Sequence, residues 1–570
     1  MSKKVADIIV ETLESAGVKH CYGIVGDTLN LIAGALSRSS IEWVSVRHEE
    51  AGAFAAQAEA QATGHLTAVA GSCGPGSLHF INGIFEANRN RAPVVLIASQ
   101  IVRDELGFDF IQEVDFKQIY STCSVFCDMI YTPEQARRKT TIACQTALAK
   151  HGVAVLIVPA DVSASPVHND VPFSVHVSNP IVRPNDADLA EIADILNKGK
   201  KIAVYGGSGC QDAHKEILAV AERLKAPIAH TSRAKDFLEH DNPYNIGMTG
   251  MLGNEAGYHA LLNCDTLLML GADFAWRQFY PDKAKIVQID IDPTHLGRRH
   301  PVTKGVVGDI KASLEALLPK LTEHSDGSFR GEYMKRYAKY KESTKENIVA
   351  GRDGSIPGSW LAKIIGDNAA KDALFTADDG TPAAWAYRHI EANGQRRIFA
   401  SLLHGTMANG MPSAIGLQKS HPGRQVVCMA GDGGISMLFG DLMTIVAQEL
   451  PIKIAVFDNG KLGFVEIEQK AEGMLDTFTK LKNPNFAEVA RALGLWGQTV
   501  SKADQLEGAV KVWLSQSGPA LLHVHVNPMQ LVMPPFTAVE PAIGMALYTT
   551  RAVLHGQGGD VWEMVKENFL

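Results

Sequence analysis

Short β-branched runs alternate with longer helical patterns along almost the whole chain, and this alternation limits the possible folds more than any other feature of the sequence. Strands separated by helices pair in parallel, with helices covering the sheet faces. In the first third the strand pattern falls at 41–46, 67–70, 93–98 and 153–158, with helices expected over 5–16 and 51–62. The second of these helices is so rich in Ala and Gly that it must pack closely against a neighbour. The pattern resumes at 201–205, 266–270 and 285–291, and again at 373–376, 425–429, 452–457 and 520–526. Two stretches interrupt it. Residues 162–184 have little periodicity and read as a linker; the charged, Gly-rich 323–358 reads as a second break. The expectation is an α/β protein of three Rossmann-like domains with mainly parallel sheets, followed by a short helical tail.

Composition removes whole classes of function. A formal charge of −8 argues against a nucleic-acid partner, whose binding depends on Lys and Arg neutralising phosphates. The 46% hydrophobic content excludes disorder. No uninterrupted apolar stretch approaches the ~20 residues of a membrane-spanning helix. Asp7, Glu11 and Glu14 break up the apolar core that a signal peptide would need. Eight scattered cysteines without a CxxC pair read as reduced, mostly buried thiols of a cytoplasmic protein, although Cys123 and Cys127 are four residues apart.

The sharpest chemical signal lies in the last third. Gly431-Asp432-Gly433 is expected at the end of one strand, and Asp458-Asn459 at the end of the next. Ligands of open parallel sheets collect at the carboxyl ends of strands, and the helix that follows offers free N–H groups to a phosphate. Glycines beside Asp432 let the backbone approach a bulky anion. Asp432 and the amide oxygen of Asn459 are hard oxygen ligands, suited to Mg²⁺ shared with a diphosphate. Gly-Asp-Gly alone can be a plain turn; the pairing with Asn459 makes the signal specific.

With that motif the chain resembles the thiamine diphosphate-dependent enzymes of the pyruvate oxidase, quinone-dependent pyruvate dehydrogenase and acetohydroxyacid synthase branch. Supporting segments are RHEEAGAFAAQAEA, GSCGPGSLHFINGIFEANRN, DNPYNIGMTG, QIDIDPTHLG, HGTMANGMPSAIG and GDGGISMLFGDL. The resemblance implies a pyrimidine-binding domain over 1–180, an FAD-binding middle domain over 184–345, a diphosphate-binding domain over 358–533 and a tail over 534–570. It implies Mg²⁺ held by Asp432, Asn459 and the carbonyl of Lys461. Thiamine diphosphate contacts carry over to Gly405, Thr406, Met407, Asp432, Gly433, Gly434, Asn459, Gly460, Lys461, Leu462, Gly463, Phe464 and Val465, with Met407 propping the cofactor into a bent shape. Glu49 would hydrogen-bond the aminopyrimidine ring nitrogen; on residue type alone it could equally complement the dipole of its helix, as could Glu50. FAD contacts fall on Thr249, Gly250, Met251, Leu252, Ala272, Asp273, Phe274, Ala275, Trp276 and Asp290, with Arg277 near its diphosphate. Gly206-Gly207-Ser208-Gly209 is an incomplete dinucleotide fingerprint, and by itself reads as a tight turn.

The substrate pocket separates the members of the branch. Synthases read GMVxQWQ after the metal asparagine, whereas this chain reads Gly463-Phe464-Val465-Glu466-Ile467-Glu468-Gln469. That resembles the oxidase pattern, with Phe464 beside the flavin path and Glu468 facing the reaction centre. Gln112 and His79 match further polar pocket positions. Two departures stand out: Asp458 where the family often has Asn, and Ile111 where the oxidases carry Phe. The implied reaction is oxidative decarboxylation of pyruvate to acetate and CO₂, with electrons passing through FAD to a membrane quinone. Three alternatives stay open: an acetolactate synthase with structural FAD, a phosphate- and oxygen-dependent oxidase, and a silent paralogue, against which intact Glu49, Asp432 and Asn459 count.

After Pro534-Pro535 the chain is expected to leave the third domain. Val561, Trp562, Val565, Phe569 and Leu570 fall on one helical face, with Asp560, Glu563, Lys566 and Glu567 towards the other. The bland reading is a helix docked on its own core. The resemblance implies a tail that binds membrane lipid once pyruvate has reduced the flavin, on a cytoplasmic enzyme peripherally attached to the inner face of the cell membrane. It also implies a homo-oligomer, a tetramer by family pattern, whose sites join domains of two subunits.

Overall fold

A computed structural model describes residues 3–351, 353–532, 539–555 and 558–569. They form three six-stranded sheets in which every pairing is parallel. The first sheet runs Glu42–Ser45, His20–Gly23, Thr67–Gly71, Val94–Gln100, Val153–Pro159, Phe126–Met129. The third runs Arg397–Ala400, Leu374–Ala377, Val426–Gly431, Lys453–Asp458, Ala520–His525, Trp496–Val500, and so repeats the strand order of the first. The middle sheet runs Lys304–Val307, Lys285–Asp290, Thr266–Leu270, Ile202–Gly206, Ile228–His230, Asn245–Met248. Counted from its own first strand, that is the doubly wound order of dinucleotide-binding folds. Interior strands such as VVLIASQ and VAVLIVP are buried at every residue, because helices cover both faces.

The first and third domains are joined through a pair of helices. The alanine-rich Glu49–Thr63 packs on Gly410–Ser420, where a Cβ on Gly416 would collide with the carbonyl of Ala55. Only glycine permits this approach. The backbone N–H of Arg47 donates to Asp441 Oδ1 at 2.8 Å, and Asn82 Nδ2 donates to Thr406 Oγ1 at 2.9 Å.

The structure corrects three sequence readings. The break expected over 323–358 contains the 20-residue helix Ser328–Asn347, whose Phe329 and Tyr333 are buried on the middle domain. Charge hid it: the outward face is held by pairs such as Arg336–Glu332, while the inward face carries aromatics. The linker expected over 162–184 is observed from residue 167 up to the helix that starts at Asp186, but its first residues lie in the helix Ala160–Ala164. In the tail, Val561 and Met564 are buried and Val565 packs beside them, but Trp562 is 62% exposed. Positions 561, 564 and 565 share a face at helical spacing, and Trp562 lies a third of a turn away. The Pro534-Pro535 exit and Leu570 lie outside the described residues, as do the side chains of Asp560, Glu563, Lys566, Glu567 and Phe569.

The tail helices Val539–Leu554 and Gly558–Phe569 dock on the third domain. Tyr548, Ala552, Val561 and Met564 are buried with Leu531 against Ile467, Leu475 and Met529. Arg551 Nη1 donates to the carbonyl of Gly473 at 2.7 Å, and Leu531 N–H donates to Asn568 Oδ1 at 2.9 Å. No helix among the described residues is long and apolar enough to cross a membrane. All eight cysteines are free thiols.

Candidate functional site

In the third domain, Asp432 follows the strand Val426–Gly431 and opens the helix Asp432–Met437. Its carboxylate is buried, and its Oδ2 accepts from Gly460 N–H at 3.0 Å and Asn483 Nδ2 at 2.7 Å. The same two donors reach Asp458 Oδ1, at 3.0 and 2.9 Å. Burial and then the Asp458 charge push Asp432 well above the ordinary carboxylate range. Burial also opposes the Asp458 charge, but hydrogen bonds led by His523 outweigh it and hold Asp458 below the ordinary carboxylate range. Asn459 Oδ1 accepts from Lys461 N–H at 3.0 Å, while the Lys461 ammonium turns away to Glu466 at 3.0 Å.

Small residues shape a cradle here. A Cβ on Gly433 would lie 2.8 Å from Leu462 and 3.2 Å from Met407. A Cβ on Gly434 would collide with the carboxylate of Asp378. Asp378 follows Leu374–Ala377, is fully buried, and leaves Oδ2 without a hydrogen-bond partner. Desolvation raises it to about 7. Asp432 and Asp378 therefore flank the point where the strand order reverses, the usual ligand side of such a sheet. Hard oxygens beside glycines with no room for side chains fit a metal-bound diphosphate.

In the first domain, Glu49 is the first residue of its helix and is 7% exposed. Its Oε2 lies 3.0 Å from His79 Nδ1, and His79 stacks on His48 at 4.8 Å. Neighbouring Glu50 accepts from Asn82 Nδ2 at 2.6 Å. Asn82 Oδ1 also meets His404 Nε2 at 2.9 Å, so one amide ties this helix tip to the loop holding Gly405, Thr406 and Met407. Gln112 sits on an exposed loop in the left-handed region at φ 65°, its Oε1 accepting from Cys73 Sγ at 3.2 Å. Glu468 is exposed on the helix Gly463–Ala471, where its charge adds to burial in raising the carboxyl of Asp379. Phe464 of that helix packs on the third domain's core, whereas Val465 is 41% exposed. Among the described residues, no hydrogen bond or ion pair joins Glu49 or His79 to Asp432 or Asn459. The chain presents two half-sites, linked through Asn82 and the 404–407 loop.

In the middle domain the expected FAD residues gather at the carboxyl ends of strands. Thr249, Gly250, Met251 and Leu252 follow Asn245–Met248; Ala272, Asp273, Phe274, Ala275 and Trp276 follow Thr266–Leu270; Asp290 ends Lys285–Asp290. Met251 and Trp276 are 38% and 46% exposed, and Gly250 (φ 108°) lies under the ring of Phe274. Asp273 is clamped by Arg298 and Arg299, and buried Asp290 lies 3.2 Å from His295. Gly207 is needed for packing, since a Cβ there would strike the carbonyl of Gly271.

Sequence reasoning missed Asn82, Asn483, Asp378 and His523, which reach the site only through tertiary packing. It also missed a cavity of about 250 Å³ where the three domains meet, whose wall includes Arg91, His151, Ser208, Arg233, Asp236 and Arg397.

The chain matches three family descriptions in sequence order. These are "Thiamine pyrophosphate enzyme, N-terminal TPP binding domain" over 3–119, the "central domain" over 189–317, and the "C-terminal TPP binding domain" over 378–524. It is 33% identical over 529 residues to the putative thiamine pyrophosphate-containing protein YdaP of Bacillus subtilis, covering 92% of each chain. It is 29% identical over 539 residues to the acetolactate synthase isozyme 2 large subunit of Escherichia coli, covering 93% of this chain and 96% of the relative. It is also 29% identical over 510 residues to the pyruvate oxidase of Lactiplantibacillus plantarum, covering 87% of this chain and 84% of the relative.

Proposed function

The chain belongs to the thiamine pyrophosphate enzyme family, and on that premise we propose that it oxidatively decarboxylates pyruvate to acetate and CO₂, passing electrons through FAD to a membrane quinone. The observation that carries the choice is Glu468. It lies on Gly463–Ala471, where its charge reaches Asp379, and it sets a carboxylate where the synthase pattern carries Trp. A charged carboxylate in place of Trp receives the apolar end of a second keto acid poorly, which favours an oxidase over a carbon–carbon transferase.

Bound thiamine diphosphate and FAD supply an electron sink for loss of CO₂ and a two-electron acceptor. The chain's own residues bind and orient. Asp432, the Asn459 amide and the Lys461 carbonyl hold Mg²⁺; Gly433 and Gly434 admit the diphosphate; Met407 supports the pyrimidine. Glu49, kept in place by His79, holds the proton at the pyrimidine ring nitrogen. The middle domain's doubly wound order and the strand-end segments from Thr249 and Ala272 receive FAD. Arg233 and Ser208, on the three-domain cavity, would place positive charge and a hydroxyl near an anionic group. The separated half-sites suit a homo-oligomer, a tetramer by family pattern, in which a second subunit completes each site. The docked tail would place the enzyme at the inner face of the cell membrane once released.

Anaerobic mixing of the holoenzyme with pyruvate tests the reading. The flavin should bleach, with acetate and CO₂ released in matching amounts. Acetolactate formation with the flavin still oxidised would assign the chain to the synthases. Acetyl phosphate made only with added phosphate would favour the phosphate-dependent oxidase.

A further inference from the structure

Beside the half-site at Asp432 lies a second cluster that the proposed reaction does not use. The strands Lys453–Asp458 and Ala520–His525 run in parallel, with Val456 opposite His523 and Asp458 opposite His525. Residues two apart on a strand share a face, so His523 and His525 project together beside Asp458. His523 Nε2 lies 2.8 Å from Asp458 Oδ2, and His525 Nδ1 lies 3.5 Å from the same oxygen. The three ligand atoms all fall within 4.8 Å of one another. The other carboxylate oxygen is committed to Gly460 and Asn483.

A structural Asp–His pair would explain His523, whose side chain is 1% exposed. It does not explain His525, which approaches the same oxygen beyond good hydrogen-bond distance and keeps half its side chain open to solvent. A buried carboxylate with two imidazoles, one of them solvent-accessible, is a three-ligand set with an entry path. We propose that Asp458, His523 and His525 bind a divalent first-row cation of the Zn²⁺, Co²⁺ and Ni²⁺ class, at a site separate from the Mg²⁺ position of Asp432 and Asn459. Two imidazole nitrogens select such cations over Mg²⁺, which prefers all-oxygen surroundings. Three protein ligands leave a fourth position for water or an anion. The cation sits on the far side of the Asp458 carboxylate from Asp432, where it neutralises the charge that crowds Asp432.

The test uses holoenzyme saturated with Mg²⁺ and thiamine diphosphate, freed of transition metals and titrated with Co²⁺. The expected result is one tightly held Co²⁺ per chain with visible d–d absorption, not displaced by excess Mg²⁺ and displaced by Zn²⁺. His525→Ala, at a half-exposed position that folding tolerates, should weaken binding at least ~10–100-fold, the loss typical even of outer-shell partners. His523→Gln should do the same, while Asp432→Ala should keep the Co²⁺. Co²⁺ binding equal in wild type and His525→Ala overturns the proposal, as does binding that Mg²⁺ displaces or that Asp432→Ala removes.

Discussion

Asp378 has no partner for one of its buried oxygens, and replacing it with Asn should stabilise the chain in a pH-dependent way. The folded carboxyl titrates at about 7, raised by desolvation from the ordinary 3.8. Between these values the unfolded chain has lost the proton and the folded chain retains it. Stability must therefore fall as pH rises from about 4 to 7 and level off above. At ~1.4 kcal/mol per pH unit the whole penalty is ~4 kcal/mol, of which ~3 kcal/mol accrues between pH 5 and pH 8. Asn fills the same volume, keeps an oxygen for Gly410 N–H, now held at 3.1 Å, and carries no charge. The stability gain of the variant over wild type should therefore be ~3 kcal/mol larger at pH 8 than at pH 5, with the Tm gain larger in the same direction. Calorimetry on cofactor-free wild type and Asp378→Asn measures it. Every other titrating group, and any constant effect of the new amide, cancels in that double difference. Parallel Tm curves across pH 5–8 would refute the reasoning.

Three further outcomes follow from the geometry. Glu49→Gln should retain thiamine diphosphate but turn over ~10²–10⁴-fold more slowly, the usual loss when acid–base assistance goes; mixing it with inactive Asp432→Ala subunits should restore activity if sites are shared between chains. Gly416→Val forces a branched side chain into the carbonyl of Ala55, so denaturant melts should report a loss at or above the ~1–3 kcal/mol of ordinary overpacking. Removing the residues after His555 uncovers Leu531 and Met529, and should leave dye-linked pyruvate oxidation intact while abolishing vesicle binding and quinone reduction.

Interior strands were legible within a residue or two because burial on both faces imposes unbroken apolar runs; the expected 153–158 is observed as Val153–Pro159. Short strands such as His20–Gly23 and Trp496–Val500 escaped, since four or five residues with Gly, His or Gln among them carry no run to detect. The helix Ser328–Asn347 had a signal that charge obscured: Phe329, Tyr333 and Tyr337 recur every four residues. The candidate site was legible where its residues follow strand ends in sequence, as at Asp432 and Asn459. Asn483 and His523 reach the same carboxylates from 51 and 65 residues away, and no local pattern announces them. Only packing brings them in.

The close contact of Gly416 with Ala55 also bears on how the chain is made. The helix Glu49–Thr63 emerges early from the ribosome, yet the helix that covers its alanine face is synthesised only in the last third of the chain. At ~5–20 residues per second, the roughly 350 residues between them occupy about 20–70 s. Throughout that interval the first domain can complete its sheet but not its outer surface. A face of small side chains is well suited to the wait, because alanine exposes little sticky area to passing chains. Larger residues there would tighten the finished joint and lengthen the list of wrong partners before it closes.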